Sequence, residues 1–182
     1  MVITIGGNLG AGKTTLAANL SKKLGYEELY MGGLMREMAA EQQMAIEQFY
    51  LRLKENPELE RSLDERQEKM MREKENLVAQ GRVAWFFAKK SPYKVFNILL
   101  TVTPAVGAQR VGQRSKNEVG KNTGDIAAAN AFRANLEMER YKNLYGIENF
   151  LDPAHYDFIL DTTSLTEQEV FETVTQKISP LL

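Results

Sequence analysis

Residues 7–14 read GNLGAGKT and fill every fixed position of the pattern G-x-x-x-x-G-K-[ST]. The chemistry open to such a segment is holding a polyphosphate. Gly7, Gly10 and Gly12 admit backbone at positive φ, which turns amide N–H groups inward around phosphate oxygens. Lys13 can bridge the β- and γ-phosphates and the Thr14 hydroxyl can ligate Mg²⁺, with Ala11 and Thr15 completing the triphosphate site. Arginines supply the second theme. Phosphoryl transfer needs little covalent help and much positive charge on the equatorial oxygens, which planar guanidinium groups deliver well. Arg110 and Arg114 are spaced as neighbours on one helix face, Arg133 and Arg140 lie two turns apart, and a polar stretch with glycines at 115–124 separates the pairs. This predicts a lid that closes over phosphates and excludes water; solvated helix faces, with arginines paired to Glu137 or Glu139, are the other reading. Arg36 follows Gly32-Gly33 and Arg82 follows Gln80-Gly81. At the carboxyl edge of a parallel sheet, two such arginines could clamp an acceptor monophosphate bidentately.

The elements that must position these residues follow from periodicity and caps. Val2 to Ile5 is a β-branched run before the loop, and Leu16, Leu20 and Leu24 line one helical face after it. The loop therefore sits between a strand and a helix N-terminus, whose dipole favours anions. A short apolar patch at Glu28 to Met31 precedes a charged helical stretch from about Leu34 to Phe49, and Asn56-Pro57 starts a helix that runs to about Lys74. Asn76 to Gln80 and Val95 to Val102 read as strands, and Pro104 opens another helix. A helix from about Asp125 to Tyr145 should turn Ile126, Leu136 and Leu144 inward and end on Gly146. His155 to Leu160 reads as a last strand, and Ser164 with Glu167 makes a capping box for a helix carrying Val170, Val174 and Ile178. Strands alternating with helices predict an α/β fold, a parallel sheet with helices on both faces, and an inserted helical region at 32–74.

The chain has 182 residues, enough for one domain spanning 1–182. Its 23 Lys and Arg against 24 Asp and Glu give no bulk electrostatic case for nucleic acid or an anionic membrane. The absence of cysteine excludes disulfides, thiol catalysis and cysteine-ligated metals. No signal-like start or long apolar run is present, so a cytoplasmic protein is expected, and a monomer acting on small molecules. His155, the sole histidine, is expected on a surface or turn. Trp85-Phe86-Phe87 is expected in packing rather than against a base.

The chain resembles nucleoside monophosphate kinases, and specifically the short archaeal-type cytidylate kinases. The likeness runs nearly end to end. It rests on ITIGGNLGAGKTTLA, GGLMREMA (32–39), GRVA (81–84), ERYKNLYGI (139–147) and YDFILDTT (156–163). The resemblance implies a three-layer P-loop kinase fold with a helical monophosphate-binding insertion and a short lid, ATP as donor, Mg²⁺, and CMP or dCMP as acceptor. It places Lys13 and Thr14 on the donor, Arg36 and Arg82 on the acceptor phosphate, and Arg133 with Arg110 and Arg114 around the transferred group, with Arg140 nearby on the substrate side. A cytosine amino group wants a carboxylate acceptor, which Asp64 could supply. The pattern is broken at Gln80, where these kinases usually carry an acid, and at Asn8-Leu9, Met31 and Leu136. A kinase of another small metabolite, or a catalytically weak nucleotide-binding protein that signals by lid closure, remain alternatives.

Overall fold

The computed structural model describes residues 1–115 and 123–182. Every residue of β1 (Val2–Gly7) is buried, as an unbroken run of β-branched residues and glycine with no polar face demands. It takes the centre of a five-stranded sheet with β2 (Glu27–Tyr30), β3 (Leu77–Gln80), β4 (Val95–Thr101) and β5 (Phe158–Asp161), in the order β2-β3-β1-β4-β5. All four pairings are parallel, with Ile5 beside Gln80 on one side and Ile98 on the other.

Parallel strands need crossovers, and helices supply them: α1 (Lys13–Leu24), α2 (Met31–Glu41), α3 (Ile46–Glu55), α4 (Pro57–Glu73), α5 (Ala84–Ala88), α6 (Pro104–Ser115), α7 (Thr123–Tyr145) and α8 (Glu167–Ile178). They cover both faces. One core joins Ile3 and Ile5 to Leu16 and Leu20 of α1 and to Val170, Val174 and Ile178 of α8. The other joins Val2, Leu77 and Ala79 to Phe49, Leu53, Leu63, Phe87 and Tyr141 from α3, α4, α5 and α7.

Several boundaries follow the expected chemistry. Asn56 caps α4, its Oδ1 accepting from the Leu59 amide at 3.2 Å, with Pro57 at the first helical position. Gly146 (φ 67°) ends α7 in the left-handed conformation, its amide reaching the Lys142 carbonyl as in an αL cap, while the Ile147 amide reaches the Tyr141 carbonyl.

Four expectations need correction. Of the residues expected inward on α7, Leu136 is half-buried, the Ile126 side chain lies outside the described residues, and Leu144 is 45% exposed, while Glu137 and Tyr141 on the adjoining face are buried. Apolarity alone misjudged this face because a carboxylate partnered by an arginine can take a core position. The box that starts α8 is Thr166 with Glu169, not Ser164 with Glu167. With Thr166 as cap, apolar Leu165 and Val170 fall at the positions that staple a helix start, and both join the same core. The last strand begins at Phe158, since Pro153–His155 forms a 3-10 turn capped by Asp152. The helical stretch after Gly33 breaks after Glu41, with Gln43 at φ 54° before α3 begins. Of the expected lid at 115–124, residues 116–122 lie outside the described residues.

Candidate functional site

The loop that follows β1 is shaped by glycine. Gly7, Gly10 and Gly12 hold φ of 140°, 78° and 90°. A Cβ on Gly10 would stand 2.4 Å from the Gly107 carbonyl oxygen, whereas one on Gly12 would meet nothing within 4 Å. Gly10 therefore packs the loop against α6, and Gly12 faces open space at the N-terminus of α1, where the helix dipole favours an anion. Lys13 Nζ donates to the carbonyls of Gly7 (2.9 Å) and Asn8 (2.7 Å), folding back onto the loop. Asn8 fastens the loop to the end of β4, Nδ2 donating to the Val102 carbonyl at 2.8 Å and Oδ1 accepting from its amide at 3.2 Å. A two-ended amide clamp thus fixes the loop at Asn8.

Arg110 meets backbone rather than open space. Its Nη2 donates to the carbonyls of Thr162 (2.8 Å) and Leu165 (3.1 Å), and Nη1 to Thr162 Oγ1 (3.1 Å) and Gly10 O (3.5 Å). Thr162, fully buried, lies within bonding distance of the Ala11 carbonyl (3.3 Å) and the Thr101 carbonyl (3.0 Å). The 162–165 turn, Arg110 and the glycine loop are one tied unit, so in this arrangement Arg110 braces the loop. Thr15 adds a contact from Oγ1 to Glu167 at 3.5 Å.

Thr14 Oγ1 donates to Gln80 Oε1 at 3.2 Å, and Gln80 Nε2 donates to Glu28 Oε1 at 3.1 Å. Among the described residues no group of three or more histidines or carboxylates stands ready for a metal. Mg²⁺ is commonly held by one or two protein oxygens together with substrate phosphates and water, and a hydroxyl, an amide oxygen and a nearby carboxylate are donors of that kind. Asp161 is occupied otherwise: its Oδ1 accepts from the Thr163 amide (2.9 Å) and hydroxyl (2.6 Å), which holds its carboxyl below the usual range.

Beyond the end of β3 a second concavity is lined by Met31, Met35, Gln67, Arg82, Arg140 and Tyr145, among others. Its charges neutralise one another. Arg82 Nε lies 2.5 Å from Glu137 Oε2, the two side chains being 9% and 7% exposed, and Tyr50 donates to the other oxygen of Glu137 at 2.5 Å. Arg82 also lies over the Phe150 ring. Arg140 pairs with Glu60, and Tyr145 donates to Asp64. Burial raises the Asp64 carboxyl above its ordinary value, against the Tyr145 hydroxyl and the Arg140 charge. Oδ1 of Asp64 is buried and finds no donor. The space left is about 30 Å³, room for a water or two. Arg82, Arg140 and Asp64 are thus brought together. Arg36 is not: it is exposed and rests on Tyr30, to whose hydroxyl it donates. The side chains of Arg114 and Arg133 lie outside the described residues.

A model of the cytidylate kinase-like family matches residues 2–164. The chain belongs to this family. Within it, the chain is 34% identical over 189 residues to the cytidylate kinase of Methanopyrus kandleri, covering 100% of this chain and 95% of the relative. Against the cytidylate kinase of Pyrococcus abyssi identity is 35% over 181 residues, again 100% of this chain and 95% of the relative. In fold it is similar to a shikimate kinase from Bacteroides thetaiotaomicron, with a TM-score of 0.57, 19% identity, and 100% and 97% of the two chains covered.

For a cytidylate kinase-like chain, the sequence reading passed over Glu28, Glu60, Tyr145 and Thr162. Glu28 carried one signal, as an acid on the strand next to a buried amide that had replaced one. Glu137 is expected from the sequence as a partner of the arginines around 115–124 on a solvated face; the structure pairs it instead with Arg82, and buries it.

The aromatic run packs as expected, with Trp85 and Phe87 buried. His155 sits at a turn, its ring stacked 3.7 Å from that of Trp85.

Proposed function

We propose that this chain transfers the γ-phosphoryl group of ATP to CMP or dCMP, giving the diphosphate, in a Mg²⁺-dependent reaction without covalent intermediate. One observation carries the reading: the glycine loop and the arginine-lined concavity open at the same carboxyl edge of one parallel sheet, on the two sides of Gln80-Gly81-Arg82. The kinases named above, at about a third identity over the full chain, support the acceptor class.

In this reading Gly7, Gly10, Ala11, Gly12, Lys13, Thr14 and Thr15 hold the triphosphate and Thr14 meets the metal, which would polarise the transferred group. Arg82 takes the acceptor phosphate in exchange for Glu137, with Arg140 close by and Arg36 swinging in from Tyr30. Arg114 and Arg133, flanking 116–122, bring charge to the transferred group as a lid over the site, while Arg110 keeps the loop in shape. Asp64 accepts from the cytosine amino group through its undonated oxygen. Helices α2, α3 and α4 serve as the acceptor-binding insertion, and the chain works as a cytoplasmic monomer. No helix among the described residues is long and apolar enough to cross a membrane.

A coupled assay with ATP and CMP, dCMP, UMP and AMP tests this. Turnover is expected on CMP and dCMP; none on any of the four would overturn it. The buried amide at 80 motivates the weak-catalysis reading, which requires ATP binding with transfer appearing only in Gln80→Asp.

A further inference from the structure

Phosphate-loop enzymes commonly place a carboxylate at the end of the strand beside the loop, where it serves the metal held by the loop hydroxyl. Here that place belongs to Gln80, which has no charge to offer. Gln80 is 2% exposed and both ends of its amide are engaged. Its orientation follows from its neighbours. An ionised carboxylate only accepts, so the amide nitrogen must face Glu28, and the carbonyl oxygen then faces Thr14.

We propose that Glu28 on β2 is the carboxylate of the metal site, displaced by one strand, with Gln80 as the spacer that carries its polarity to Thr14. This rests on the ATP-dependent reading above. Glu28 pulls on the Gln80 N–H group, which polarises the amide and enriches its oxygen in electron density, as successive hydrogen bonds do. That oxygen, with the Thr14 hydroxyl, faces the place a cation beside the β- and γ-phosphates would take. Glu28 is exposed, so water reaches its side chain and can carry its charge to a cation held near Thr14. The amide is also the residue that Glu28 requires. An acid at 80 would set two carboxylates about 3 Å apart, where like charges oppose each other. One negative charge therefore belongs to the pair 28/80, on either strand but not on both. Glu28 acts through Gln80 and water, and is a positioning residue.

The test uses Mn²⁺ as the probe, titrated by electron paramagnetic resonance into the whole protein saturated with a non-hydrolysable ATP analogue. Glu28→Gln should weaken Mn²⁺ binding about tenfold while the metal-free affinity for the analogue stays within twofold. The exchanged pair, Glu28→Gln with Gln80→Glu, should return Mn²⁺ affinity to within threefold of the wild type. Gln80→Glu alone should be less stable to urea than the exchanged pair. Mn²⁺ affinity in Glu28→Gln within twofold of the wild type would overturn the proposal, as would an exchanged pair no better than that single variant. If Gln80→Glu fails to fold, Glu28→Gln alters only an exposed side chain and decides alone. Wild-type protein that does not bind the analogue refutes the donor site itself and this proposal with it. Expected Mn²⁺ results without transfer to any nucleotide refute the acceptor reading only.

Discussion

Replacing Glu137 by glutamine should weaken the fold and strengthen acceptor binding at once. Glu137 and Arg82 are almost wholly shielded from water and 2.5 Å apart, with the Tyr50 hydroxyl on the second carboxylate oxygen. Breaking a buried ion pair by removing one partner costs about 3–5 kcal/mol. Glutamine keeps the shape and still accepts from Tyr50, so the loss should sit near the low end, about 3 kcal/mol. For a chain of this length each kcal/mol moves the melting temperature by roughly 2–4 °C, so a fall of about 6–12 °C is expected. An acceptor phosphate binding to Arg82 in the wild type must displace the carboxylate; in the variant it meets a buried cation in need of an anion. Recovery of half the lost energy would tighten CMP binding about tenfold. Urea denaturation with and without CMP gives the stability, and isothermal titration the affinity. CMP binding that is unchanged or weaker in Glu137→Gln would refute the exchange, and with it the role given to Arg82.

Asp64→Asn should show a pH signature. Burial raises the Asp64 carboxyl, and a raised acid lends its stability in full below its unfolded value near 4 and loses it as pH climbs through the folded value. The asparagine variant should therefore melt increasingly above the wild type as pH goes from 4 to 8; parallel melting curves would show an unperturbed carboxyl. Gly10→Ala puts a Cβ 2.4 Å from the Gly107 carbonyl at φ 78°, and should abolish nucleotide binding measured by fluorescence titration while Gly25→Ala, at a helix end with open space, spares it. Thr166→Ala should cost about 1 kcal/mol in urea unfolding, and Ser164→Ala should be neutral within 0.5 kcal/mol, because only the former caps α8.

The glycine-loop half of the candidate site was legible because its pattern is local. Phosphate-loop spacing, a β-branched run and a leucine stripe all occur within the first 24 residues, and each constrains the backbone directly. The helix caps at Asn56 and Gly146 are local in the same way. The arginine-lined concavity was only partly legible, since its pairs join distant segments: Arg82 to Glu137, Arg140 to Glu60, Tyr145 to Asp64. Arginine spacing identified the cations, but the anions that neutralise them come from other helices and leave no periodic trace. Leu144 shows the same limit. Apolarity nominated it for the core, and a paired glutamate and a tyrosine on the neighbouring face took that place.

The tie between Thr162 and the glycine loop has a consequence for the order of assembly. The loop precedes its partners in the chain, yet the Ala11 carbonyl finds Thr162 across 151 positions, and the Gly10 carbonyl finds Arg110 across 100. Closures of that length come late in folding. A nascent chain therefore carries its phosphate motif before the segments that brace it, and the tie to Thr162 forms only when β5 has docked against β4. An element made before its partners is thus among the last to mature, and the edge strand β5 acts as its keystone.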